Sequence, residues 1–176
     1  MKRTSIFALA VAAVLMVPMF ASAQVTSSGT LAISATVQSS ISMVFNSNGA
    51  GVALTGAGTN AATMAMGNIS AYGALSAGVS RVVGATNFTV SSPFNVQVSK
   101  SNSASANYSL TAQLASADAT NTWALGATTV TNGAAASIAA AGAYAASTPY
   151  TLNLTVPLAS GAGAISNTIN FVATAN

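Results

Sequence analysis

The stretch Leu31-Ala32-Ile33-Ser34-Ala35-Thr36-Val37-Gln38-Ser39-Ser40-Ile41-Ser42-Met43-Val44-Phe45 decides the fold class. Its odd positions are Leu31, Ile33, Ala35, Val37, Ser39, Ile41, Met43 and Phe45, and small or polar residues dominate the even ones. The alternation is broken only by Ser39 on the apolar face and Val44 on the polar face. Successive side chains of a strand point to opposite faces, so period two over this stretch describes a strand with one buried face. At about 3.3 Å per residue the run would reach roughly 50 Å, more than twice a common strand. Three readings follow. The run bends near Gln38-Ser39-Ser40 as one strand of a closed sandwich, its two halves serve two different sheets, or its first half is a free tail.

Residues 1–23 read as a leader. Lys2 and Arg3 begin it, residues 6–17 are uninterrupted apolar or Ala, and Ala21-Ser22-Ala23 is a small-x-small cleavage site. The apolar run is shorter than the ~20 residues that span a bilayer. The expected organisation is a signal peptide over 1–23, an N-terminal extension over 24–38 and one β-sandwich domain over 39–176. Export is expected, with no membrane insertion after leader cleavage.

Once the leader is gone, the only charged side chains are Arg81, Lys100 and Asp118. Nucleic-acid binding needs several phosphate-neutralising cations, and a polybasic membrane patch needs a cluster of them, so neither partner is expected. With so few titrating groups, the melting temperature is expected to be nearly flat from about pH 3 to 9. There is no Cys, so stability must come from packing and strand pairing rather than disulfides. The inventory also weighs against catalysis. No His, Cys or Glu is present, and paired-carboxylate, triad and thiol mechanisms each lack an essential member. Zinc lacks its nitrogen and sulfur ligands, and calcium would find one carboxylate. Lys100, in Ser99-Lys100-Ser101-Asn102-Ser103, reads as part of a solvated turn. No enzyme activity, cofactor or metal is expected.

Further along, Phe88 and Val90 alternate, Ser92-Pro93 interrupts them, and Phe94, Val96 and Val98 resume. Pro93 lacks an N–H and belongs at a strand start, a bulge or an edge. Tyr108, Leu110, Ala112 and Leu114 form the next apolar face, read as an antiparallel neighbour of residues 94–99. Residues 52–54 allow a short strand, Met64 and Met66 read as core fillers, and Asn132-Gly133 is a turn signal. Residues 134–146 are rich in Ala, which favours helix, yet Gly142 and the missing apolar stripe favour an extended segment or loop. Tyr150, Leu152, Leu154, Val156 and Leu158 alternate, a Gly-rich turn follows, and Ile165, Ile169, Phe171 and Ala173 alternate back, which predicts a hairpin. Many short strands and no amphipathic helix give an all-β chain, an antiparallel immunoglobulin-like β-sandwich. Four Asn-x-Ser/Thr tripeptides, at Asn68, Asn87, Asn107 and Asn153, are expected by chance in so Asn-, Ser- and Thr-rich a chain.

Residues 31–37 followed by Ile41-Ser42-Met43 resemble the mature N-terminus of chaperone–usher pilus subunits, especially the alpha-type colonisation-factor fimbriae. The resemblance implies that Leu31, Ile33, Ala35 and Val37 form a donor strand that completes the incomplete sandwich of the next subunit. It implies a break over 38–40 and a first strand over 41–45. The C-terminal strand with Ile165, Ile169, Phe171 and Ala173 is similar to the one the periplasmic chaperone grips, and Gly163 stands where many such pilins place Gly. The penultimate residue is Ala175 rather than an aromatic, and no proline stands at the break. The implied partners are identical subunits in a homopolymer, a periplasmic chaperone and an outer-membrane usher. The implied location is the cell surface.

The function expected on this reading is a structural subunit of an extracellular bacterial fibre. The alternative is a self-contained secreted sandwich that binds carbohydrate or forms a surface coat. Carbohydrate recognition would draw on exposed aromatics, for which Trp123, Tyr72, Tyr144 and Tyr150 are candidates, with only Tyr144 off an apolar alternation. An ice-binding Thr array is disfavoured because no regular Thr spacing occurs.

Overall fold

The computed structural model describes residues 27–176. The leader read over 1–23, and the first residues of the extension, lie outside them. Two units are distinguished, Met1–Thr36 and Val37–Asn176. In the first, residues 27–36 are exposed and belong to no strand. The second holds nine strands and, among the described residues, no helix: β1 (Ser40–Ser47), β2 (Ser80–Val83), β3 (Asn87–Ser101), β4 (Tyr108–Leu114), β5 (Thr122–Leu125), β6 (Thr128–Val130), β7 (Ala136–Gly142), β8 (Ser147–Pro157) and β9 (Ile169–Ala175). Strand pairing begins at Ser40, so residues 30–45 are not one continuous strand.

The strands form two packed antiparallel sheets, a β-sandwich. One has the order β1-β3-β8-β5-β6, with β2 also on β3; the other is β7-β4-β9. The backbone of the larger sheet is β3, 15 residues long. Its alternation sends Phe88, Val90, Phe94, Val96 and Val98 into the core. Its outer side pairs β2 over 88–91 and β1 over 94–101, so Ser92 and Pro93 fall at the gap between the two. That gap is how a proline enters a central strand: on this side no ladder partner stands opposite Pro93. Ser92, fully buried, is satisfied there by accepting the Val52 N–H at 2.9 Å. Residues 52–54 do not form a strand; the nearby pairing is an isolated bridge between Thr55 and Thr63. Met64 and Met66 pack against the core as fillers.

Two expected pairings are corrected. β3 and β4 are not neighbours but face each other from different sheets. Likewise β8 pairs with β3 and β5, while β9 pairs with β4, so the two C-terminal alternations make a crossover and not a hairpin. Alternation identifies a buried face and carries no information about which strand lies beside it. The connection after β8 is tied down at both ends: Leu158 N–H bonds to Thr86 O at 2.8 Å and Ala115 N–H to Thr168 O at 2.8 Å. Ile165 lies in this connection, outside the strand that begins at Ile169.

The Ala-rich segment is extended, as β7. Pairing with β4 overrides helix propensity there, and the fit depends on Gly142. A Cβ built on Gly142 would stand 2.3 Å from Tyr108 Cζ, against a ring that is itself fully buried. Gly142→Ala should therefore overpack the core and cost about 1–3 kcal/mol, several degrees of melting temperature. Gly133→Ala, with nothing within 4 Å of the added carbon, is the control and should leave the melting curve nearly unmoved. Thermal unfolding followed by circular dichroism reads both.

Candidate functional site: an open seam between the sheets

The two long sides of the sandwich differ. On one, the chain passes from β6 in the larger sheet to β7 in the smaller through the Asn132-Gly133 turn, and Leu114 N–H bonds to Thr131 O at 3.0 Å. On the other, β1 and β9 face each other without pairing. Between them lies an open cleft of about 550 Å³, lined by Ile41, Met43 and Val44 on one lip and Phe171, Val172 and Ala173 on the other. Gly58, Thr59 and Asn60 line it as well.

Each lip is built by period two. On β1, Ile41, Met43 and Phe45 alternate with Ser42 and Val44; on β9, Ile169, Phe171 and Ala173 alternate with Asn170 and Val172. These inward residues are half-buried. Phe171, which lines the cleft, meets Phe45 edge to face with centroids 5.2 Å apart, and Phe94 lies 6.1 Å from Phe171 and 6.4 Å from Phe45. Such pairs contribute about 0.5–1.5 kcal/mol beyond area burial.

The backbone edges are also open. Among the described residues β9 pairs only with β4, which leaves one whole edge of a seven-residue strand unpaired. On β1 the outer edge is covered only at Phe45, which donates to Thr59 O at 2.8 Å and accepts from Gly58 N–H at 2.7 Å. Its first residues, from Ser40 to Val44, have no ladder partner on that side. An exposed edge flanking an apolar cleft is a template for β-augmentation.

The candidate donor residues are placed as follows. Leu31 is 85% exposed, Ile33 84% and Val37 74%, and Ala35 is exposed as well. Of the C-terminal set, Ile169, Phe171 and Ala173 lie together on β9, and Phe171 and Ala173 line the seam; Ile165 does not join them. The loop over 58–60 was not foreseen, since it has no pattern that marks a cleft wall. Of the four candidate aromatics, Trp123 is core, Tyr150 is half-buried against Phe94, and the Tyr144 hydroxyl is engaged with Ser105 Oγ and Asn107 O. Tyr72, on an apolar alternation in the sequence, is instead 75% exposed.

No charged side chain lines the seam. All three are bound into loops elsewhere. Arg81 Nη1 donates to Ser70 O at 2.8 Å and to Gly73 O at 3.1 Å. Lys100 donates to Ser105 O and sits 5.0 Å above the Tyr144 ring. Lys100 itself lies within β3, paired with Ile41, rather than in a turn. Asp118 accepts from Asn121 N–H at 2.8 Å, from Thr120 N–H at 3.0 Å and from Trp123 Nε1 at 2.8 Å.

Comparison with known proteins finds no matching family, no similar curated protein and no similar solved structure.

Asp118 adds an acid edge to the expected pH plateau. Chiefly the Asn121 backbone N–H, opposed by partial desolvation and aided by Trp123, lowers its carboxyl from an ordinary 3.8 to about 2. The folded state therefore favours the ionised form, so this contribution is complete above about pH 4 and disappears as pH falls through about 2. The melting temperature should stay level from about pH 9 to 5 and decline below about pH 4. Asp118→Asn, which cannot accept from both Trp123 Nε1 and the Asn121 amide, should lower the plateau and flatten the acid decline. Melting curves across pH for both proteins decide it.

Proposed function

We propose that this chain is a structural subunit of an extracellular bacterial fibre, assembled by donation of a strand from one copy to the next. One observation carries the reading: a sandwich with two facing unpaired edges and an apolar cleft between them, in a chain that also presents an exposed alternating run of matching length. β9 has seven residues, and residues 31–37 number seven too. Extended in the cleft, Leu31, Ile33 and Val37 would turn toward its apolar lining, and their burial would contribute roughly 1.5–3 kcal/mol each before ordering costs. Ala35, the small residue among them, suits the place where Phe45 and Phe171 close to 5.2 Å. Assembly by this route requires that the seam be shielded until a donor arrives. A periplasmic chaperone and an outer-membrane usher, the partners of the family the sequence resembles, would supply that shield. The self-contained carbohydrate-binding alternative is weaker, because no group of exposed aromatics forms a platform among the described residues.

The test removes the donor and returns it as a peptide. A chain lacking residues 24–38 should fold with reduced stability and fail to polymerise. Adding a synthetic peptide of residues 30–38 should raise its melting temperature by several degrees while keeping it monomeric, as a ligand specific for the folded state must. In the full chain, Ile33→Asp should lower polymer yield at least tenfold, because it sets a charge in an apolar slot. If the shortened chain is a cooperatively folded monomer that the peptide does not stabilise, strand donation fails.

A further inference from the structure

The exposed large hydrophobic residues fall into three groups. Leu31, Ile33 and Val37 belong to the run, and Val172 is on the seam lip. The remaining five, Tyr72, Val82, Val83, Leu158 and Ile165, come from four separate stretches of sequence. The topology brings them to one end of the sandwich. Val83 pairs with Phe88 at the start of β3, and Phe88 in turn with Val156 near the end of β8. Leu158 follows, held by its N–H to Thr86 O at 2.8 Å. Arg81, between Ser80 and Val82 on β2, fixes the loop around Tyr72 by bonding the carbonyls of Ser70 and Gly73. Ile165 lies beside Ser160 and Asp118, at the same end.

The other end of the sandwich has the opposite character. There Ser40 pairs with Ser101, and the loops that flank this pair expose Ala104, Ala106, Ala143, Ala145 and Ala146. This is the end from which the chain leads back into the run. β3 reaches from one end to the other, and its 15 residues at about 3.3 Å each cover roughly 45–50 Å.

Resting on the strand-donation reading, we infer that the Tyr72–Val82–Leu158 end is a second contact between successive subunits, and that its occupant is the Ala-rich end of another copy of this chain. The constraint is the length of the linker. Val37 would lie in the neighbour's seam while Ser40 stays in its own sheet, and three residues reach at most about 10–11 Å. The end of the donor body that holds Ser40 must then abut the acceptor. Every strand pairing in this sandwich is antiparallel. A donor laid antiparallel to β9 places Val37 at the Ile169 end of the seam, so the donor body meets the acceptor where β9 begins, at the end that carries the apolar side chains. Small Ala side chains on one surface accommodate larger Tyr, Val and Leu side chains on the other. Neither surface offers a free charge: Arg81 and Asp118 at one end, and Lys100 at the other, are bound within their own loops. An uncharged partner fits this surface, and a second copy is one. The contact is heterologous, the kind that propagates an open filament when its rotation does not close a ring.

Hydroxyl-radical footprinting separates this contact from strand donation within one experiment. Filaments of the full chain are compared with its Ile33→Asp variant, whose altered side chain lies outside the sandwich and is exposed, so the variant should be a folded monomer. Oxidation of Tyr72 should fall at least fivefold in filaments, together with that of Leu31 and Ile33. Filaments that protect residues 31–37 but leave Tyr72 as reactive as in the monomer overturn the end contact and leave donation standing. Filaments that leave residues 31–37 reactive, or a full chain that stays monomeric, overturn both.

Discussion

The structure depends on an imbalance between its two long sides. Every backbone N–H and C=O in a sheet needs a partner, and an edge strand leaves a row of them to solvent. On one side of this sandwich the chain crosses between sheets from β6 to β7. On the other, β1 and β9 stand opposite each other with no ladder between them, braced by the meeting of Phe45 with Phe171. That contact joins the two sheets, and beside it the lips part around about 550 Å³. On that side both sheets end in an edge strand that pairs with no strand of the other.

The near absence of charge belongs to the same account. A soluble monomer ordinarily keeps net charge away from zero and thereby repels its copies. Here the three charged side chains of the sandwich serve internal purposes. Arg81 and Lys100 hold loop carbonyls, and Asp118 gathers backbone amides and the Trp123 indole. On the proposed reading, association would be driven by apolar burial and strand pairing, both insensitive to ionic screening.

What the sequence made legible follows from what period two encodes. Alternation gave the buried faces of β3, β4, β8 and β9, and hence the sandwich class. It did not give neighbours: β8 and β9 read as a hairpin yet lie in different sheets, because their partners β3 and β4 are set by crossovers that leave no local pattern. At residues 134–146 helix propensity pointed one way and Gly142 with the missing apolar stripe the other; the extended reading holds, with Gly142 packed over Tyr108 in β7. At the site, one lip and part of the other were recoverable, since Ile41, Met43, Phe171 and Ala173 carry the alternation. The wall over 58–60 and the five-residue apolar end were not, because they are assembled from distant loops.

The central claim is that the unpaired edge of β9 is where another copy's strand docks. Residue-resolved amide hydrogen exchange tests it most directly. The amides of β9 that point away from β4 should exchange rapidly in the Ile33→Asp monomer and be slowed by orders of magnitude in the assembled full chain, while the amides facing β4 change little. Equal protection of both sets in monomer and assembly would contradict it.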